Sequence, residues 1–258
     1  MNGLLTVARY TLLEGIRARF VVAALVISVL LVAVGVVIGS VPYGRTDEVI
    51  LRIGWGVIFL TAFAMSLFFS IQLLARERDQ RVLHLMLAKP LSRDAYALGK
   101  FVGLFGLTTA AVLLEGAILA AFVAWFGQYG IDPWRVWLDP ALTTLLKCGA
   151  LLAGAMLLQS LMSPVLAMLA VFAWYLLGVG GHDMVMLARK TDNEWIVGAA
   201  EALRWTAPRF GEFDGALWAT YGIDVAGWVR AGAVLHFGGY ALLALLAYLV
   251  VFSRREVL

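Results

Sequence analysis

The run FVVAALVISVLLVAVGVVIGS, residues 20–40, contains no charged side chain. A helix of that length rises about 30 Å, the thickness of a bilayer's hydrocarbon core. No water is available there for exposed backbone amides, so a lone apolar segment must close its hydrogen bonds on itself as a helix. Runs of the same kind recur at about 53–75, 101–127, 141–162, 164–182 and 232–252. Only 14% of the residues are charged, against about 25% in soluble domains. The expected fold is therefore a single all-α polytopic membrane domain with six transmembrane helices over residues 1–258.

The first run is too long for the apolar part of a secretory signal, about 7–15 residues, and no small-x-small cleavage site follows it. It reads as a retained span. The fourth and fifth runs are separated only by Ser163-Pro164. One kinked helix is the alternative, but about 40 residues exceed one crossing. Proline suits a first helical position, so a tight hairpin is expected.

Short loops rich in Lys and Arg stay on the cytoplasmic side. Arg9, Arg17 and Arg19, the 76–100 segment, and Arg254 with Arg255 share one side. Arg45, Arg52 and Arg135 lie on the other. The long segment 183–231 counts weakly in this rule. Both termini are thus expected in the cytoplasm of a cell inner membrane. The net charge of +3 carries no nucleic-acid signal. In LLTVARYTLLEGIRARF, residues Leu5, Leu12, Ile16 and Phe20 share a helical face, as in a cytoplasmic interfacial helix. In 183–231, Trp195, Ala199 and Leu203 share a face, and the segment is rich in Trp and Tyr. Short outer-face helices at headgroup level or an ordinary small cap are both open readings.

Several chemistries are missing from the sequence. The pair in LGKF lacks the upstream Gly and the Ser/Thr of a P-loop. No HExxH, GxSxG or CxxC occurs, and the lone Cys148 excludes an internal disulfide. The nearest approach to a metal patch is His182, Asp183, Met184 and Met186, whose soft donors suit copper. The end of a span in Gly-Gly, followed by a polar pair and apolar contacts, is the simpler reading, so no metal site is expected there. Two ionisable residues fall inside runs, Glu115 and Lys147. Each costs roughly 2.5–3.5 kcal/mol at mid-membrane. Both lie about 21 Å from the inner face by helical rise, so an intramembrane ion pair is the expectation carried forward; a Lys147 that snorkels outward with a protonated Glu115 is the open alternative. Gly35/Gly39 and Gly99/Gly103 fit the GxxxG packing pattern.

The densest charge is in RERDQRVLHLMLAKPLSRDAYALGK, residues 76–100, with six of the chain's twenty Lys and Arg and three acids. Its first part reads as a short cytoplasmic helix beneath the membrane: Arg76 to Arg81 form the charged front, Val82, Leu85 and Met86 an apolar patch, and Pro90 ends it. Ser92 is a candidate N-cap, with Asp94 in the next first turn. An anchor on acidic lipid heads and a docking element for a cytoplasmic partner both fit. Glu77 and Asp79 among the cations favour docking.

This segment resembles the loop between the second and third spans of ABC-type export permeases. The match lies in Glu77, Arg81, Leu83, Pro90, Leu91, Ser92, Arg93, Tyr96, Gly99 and Lys100. Val82 stands where those permeases usually have Thr. The likeness extends more loosely to ARYTLLEGIRARF, LRWTAPRFGEFDG and FSRREVL, and its nearest branch resembles the NosY-like permeases of multi-copper enzyme maturation. The resemblance implies six helices per subunit, a second permease copy, and a separate cytoplasmic ATPase subunit that binds ATP and Mg. It gives Arg76, Glu77, Arg78, Asp79, Arg81, Leu83, His84, Pro90 and Arg93 an ATPase-coupling role. The expected function is the permease subunit of an ABC exporter, without enzymatic activity or cofactor of its own. Two alternatives stay open: a mechanotransmitter acting on an extracytoplasmic protein partner, and a membrane scaffold.

Overall fold

The computed structural model describes residues 2–39, 46–79, 92–126, 133–191 and 193–254. Among these it contains helices and no strand. Helix α1 (Asn2–Arg17) leads into α2 (Arg19–Gly39), and α3 (Thr46–Ala64) passes through a π-helical turn at Met65–Phe69 into α4 (Ser70–Asp79). Then come α5 (Arg93–Phe126), α6 (Pro133–Leu161), α7 (Pro164–Ala188), α8 (Glu194–Thr206), α9 (Gly215–Thr220) and α10 (Gly227–Arg254).

Five of the resulting segments are long and apolar enough to cross a membrane: 48–75, 93–125, 136–161, 164–191 and 227–253. A sixth candidate is the α1–α2 pair taken together, which passes the same test of length and apolarity and bends by 60°. The bend falls at Ala18, where the Ala18 and Val21 amides close short turns onto Gly15 and Ala18 carbonyls. The chain also breaks at Ser163, whose extended backbone precedes Pro164 at the start of α7. Gly154 on α6 faces Trp174 on α7, while Ala155 clusters with Ala167. The two helices therefore fold back on each other, as the Ser-Pro hairpin requires.

The helices outrun the apolar runs. Helix α5 has 34 residues, about 51 Å by helical rise, and starts eight positions before Phe101. Its start is set by Ser92, whose hydroxyl accepts from the Ala95 amide at 3.2 Å. Helix α6 starts at Pro133 and runs through Pro140. Proline at 140 cannot donate to the Val136 carbonyl four residues back. That carbonyl instead accepts from the buried Trp55 indole at 3.0 Å, so the break in the ladder ties α3 to α6.

Helix α6 is the centre of the bundle, with 72% of its spanning window buried, against 17% for α7 and 11% for α10. The core has three parts. One gathers Val32, Trp55, Leu119 and Val136 towards the α9 end. A second gathers Val21, Leu73, Leu104, Met156 and Tyr248 towards the α1 end. The third joins Leu67, Leu151, Val171 and Phe237 between α3, α6, α7 and α10. The π turn leaves carbonyls outside the regular ladder. The Ser70 hydroxyl donates to the Ser66 and Leu67 carbonyls, and Gln159 donates to the Ile71 carbonyl at 2.7 Å.

Candidate coupling end and polar groups within the spans

Helix α1 lies along the first turns of α5, in the same direction. A Cβ on Gly99 would sit 2.9 Å from the Leu4 carbonyl oxygen, and one on Gly103 would sit 2.7 Å from that of Ala8. The two glycines of GKFVG thus serve close packing within the chain. Val7, Ala8, Thr11 and Gly15 form the buried face of α1. Leu5 and Ile16, on the face the periodicity singles out, are uncovered. The moment of the sequence therefore marks the outward side of α1, and small residues mark the side that docks.

The start of α5 also meets the end of α10. Arg93 donates to the Ser253 carbonyl at 3.1 Å, which satisfies an orphan carbonyl at a helix C-terminus. Tyr96 stacks on Phe252 at 6.1 Å between centroids. Lys100, counted in the sequence among loop cations, is fully buried. Its ammonium lies 5.8 Å from the Tyr96 ring centroid. The signal for this burial was its setting between Tyr96 and the apolar run from Phe101. At the same end Leu73 of α4 packs with Ala97 and Leu104. One end of the bundle thus joins α1, α4, α5 and α10.

Of the expected coupling residues, Arg76, Glu77, Arg78 and Asp79 lie on the last turn of α4. Arg81, Leu83, His84 and Pro90 lie outside the described residues. Arg93 is the one whose side-chain bond is seen.

The expected ion pair between Glu115 and Lys147 is not formed. Both are buried, but neither Glu115 carboxylate oxygen has a hydrogen-bond partner. Glu115 faces Ser28 of α2, whose hydroxyl lies near it without hydrogen-bonding geometry. Lys147 lies 5.7 Å from the Phe59 ring centroid on α3. Matched depth on neighbouring helices does not fix which way each side chain turns, and these turn to different neighbours. Glu115→Gln and Lys147→Met should therefore have stability effects that add within about 0.5 kcal/mol. Thermal unfolding of the two single variants and the double variant checks this; a double no worse than the harsher single would restore the pair.

The four outer candidates do not converge either. His182 and Asp183 are exposed beside a cavity of about 250 Å³. Met184 packs into the α7–α8 contact, and Met186 is 57% exposed. Adjacent positions on one helix fan apart by about 100°, which follows from 3.6 residues per turn. No cluster of three or more His, Cys, Asp or Glu suited to a metal occurs among the described residues.

Sequence reasoning missed two links at the α9 end. Arg230 pairs with Asp139 through two bonds of 2.7 and 2.9 Å, a bidentate geometry joining α10 to α6. Helix α9 is seated beside it: the Gly215 amide donates to the Thr143 hydroxyl at 3.2 Å. Around the cavity, Glu212 accepts from Arg204 at 2.9 Å and from Arg209 at 3.1 Å. Burial pushes the Glu212 carboxyl up, and the two guanidiniums outweigh it and hold the group below its ordinary range.

A bundle of long apolar helices, collared by helices at both ends, is the architecture of a multi-pass membrane protein. The chain belongs to the ABC-2 family of transporter proteins: the model of that family matches residues 15–183, about two thirds of its length. It is a permease membrane subunit and has no ATPase activity of its own; the family implies a separate ATPase partner. No curated protein matches the sequence.

Proposed function

We propose that this permease receives ATP-driven closure of a cytoplasmic ATPase subunit through segment 76–100 and α1, and passes it into the spans. The observation that carries this reading is the junction of α1, α4, the start of α5 and the end of α10 at one end of the bundle. A push on the loop there would act on several helices at once, because Tyr96 and Arg93 fix the start of α5 to α10, and Gly99 and Gly103 seat α1 against it. In this reading both termini and that end are cytoplasmic, in an inner membrane. ATP and Mg sit in the partner, and two permease copies form the complex. Glu77, Arg78, Arg81 and their neighbours are the coupling residues. The likeness of the 76–100 segment to NosY-like permeases supports that branch.

Charge reversal tests it. The double variant Glu77→Arg, Arg81→Glu, reconstituted with its ATPase, should retain native helix content and lose permease-stimulated ATP hydrolysis. Unchanged ATPase binding and stimulation would overturn the coupling assignment.

A further inference from the structure

We infer that the cavity between α7 and segment 204–212 is a binding site for one phospholipid with a phosphoethanolamine headgroup. The cavity, about 250 Å³, has two walls of opposite charge. On one, Arg204 and Arg209 share the single carboxylate of Glu212, which leaves one positive charge in excess. Each guanidinium has five N–H donors, so donors remain for a phosphate. The other wall carries Asp183, which is exposed and makes no ion pair among the described residues. It would accept from a primary ammonium. A zwitterion with phosphate and ammonium a few bonds apart fits this division, whereas a plain anion leaves Asp183 opposed to it.

The basic wall is built rather than loose. Three side chains from the spans hold its backbone: Trp174 donates to the Thr206 carbonyl at 2.8 Å, Tyr240 donates to that of Trp205 at 3.0 Å, and the Arg209 amide donates to His236 Nε2 at 3.0 Å. The guanidiniums are therefore aimed before any ligand arrives, which lowers the ordering cost of binding.

Placement selects a lipid over a soluble zwitterion. Below Val179 on the cavity's edge, Leu176, Phe172, Leu169 and Val165 follow at steps of three and four residues, one face of α7. They are 44–63% exposed. Asp183 continues the same face one turn above Val179. From Val179 to Val165 the helix falls about 21 Å, the reach of one acyl chain. The charged cavity thus caps an uncovered apolar rail at the level where headgroups lie. This holds whichever side of the membrane the cavity faces.

Native mass spectrometry of the full chain, released from bicelles of mixed phosphatidylethanolamine, phosphatidylglycerol and phosphatidylcholine, tests the site. One phosphatidylethanolamine should be retained per chain in preference to the other two. Arg204→Gln with Arg209→Gln, and separately Asp183→Asn, should cut that retention about tenfold, or about 1.4 kcal/mol. Arg189→Gln, whose partner is Glu201 outside the cavity, should change nothing. Asp183 is exposed, so its variant reports on the site even if the arginine variant fails to fold. Equal retention of all three lipids, a preference for phosphatidylglycerol, or a preference unmoved by Asp183→Asn would overturn the proposal. So would equal retention of soluble phosphoethanolamine, since the rail would then contribute nothing.

Discussion

Replacing Gly215 by leucine should unseat α9 and give one of the largest stability losses of any single substitution in the chain. A Cβ there would lie 2.5 Å from the Thr143 hydroxyl and closer still to the Asp139 carbonyl oxygen. The obstruction is largely backbone, and it stands at the point where Asp139 also holds Arg230. Nothing flexible can yield. Overpacking costs typically about 1–3 kcal/mol. Losing the Gly215–Thr143 bond adds about 0.5–1.5 kcal/mol, so a total near 3 kcal/mol is expected. Thermal unfolding in detergent measures it. Gly198→Leu is the control, because nothing lies within 4 Å of a Cβ there; it should leave the midpoint nearly unchanged.

Gly103→Leu should act at the other end, and on function more than on folding. Its Cβ would meet the Ala8 carbonyl and Thr11, so α1 must lift off α5. The spans keep their three core clusters, of which only one reaches this end. The expected result is a folded permease whose stimulation of the ATPase falls at least about tenfold, or ~1.4 kcal/mol of lost seating. Gly106→Ala, where a Cβ would stand 3.4 Å from the tip of Leu12, should retain most of it. ATP hydrolysis by the reconstituted complex, with helix content as the folding check, distinguishes the two.

The spans were legible because an apolar run of about 20 residues has few alternatives to a membrane helix. Their ends were not. Apolarity reports where lipid begins, whereas a helix stops where its caps are satisfied. Ser92 starts α5 well before the apolar run, and Trp55 lets α6 run through Pro140. The Ser-Pro break was legible for the opposite reason, since proline acts on its own backbone. The polar groups were harder still. Their presence in the spans was plain, but partnership depends on the direction each helix presents, which needs the tertiary packing. Glu115 and Lys147 were matched by depth and turned elsewhere. Asp139 and Arg230 are 91 residues apart in sequence, and nothing local links them. Lys100 was hidden by its company of loop cations, although Tyr96 one turn earlier is its ring partner.

The central claim is that segment 76–100 meets the ATPase, and cross-linking tests it most directly. The native Cys148 is buried, so Leu83→Cys supplies the thiol that a bifunctional maleimide would reach. In the assembled complex this thiol should be joined to the ATPase subunit, in a yield that changes when ATP is added, and the cross-link should arrest hydrolysis. A thiol that labels freely but never joins the ATPase, in a complex whose hydrolysis remains fully stimulated, would contradict the account.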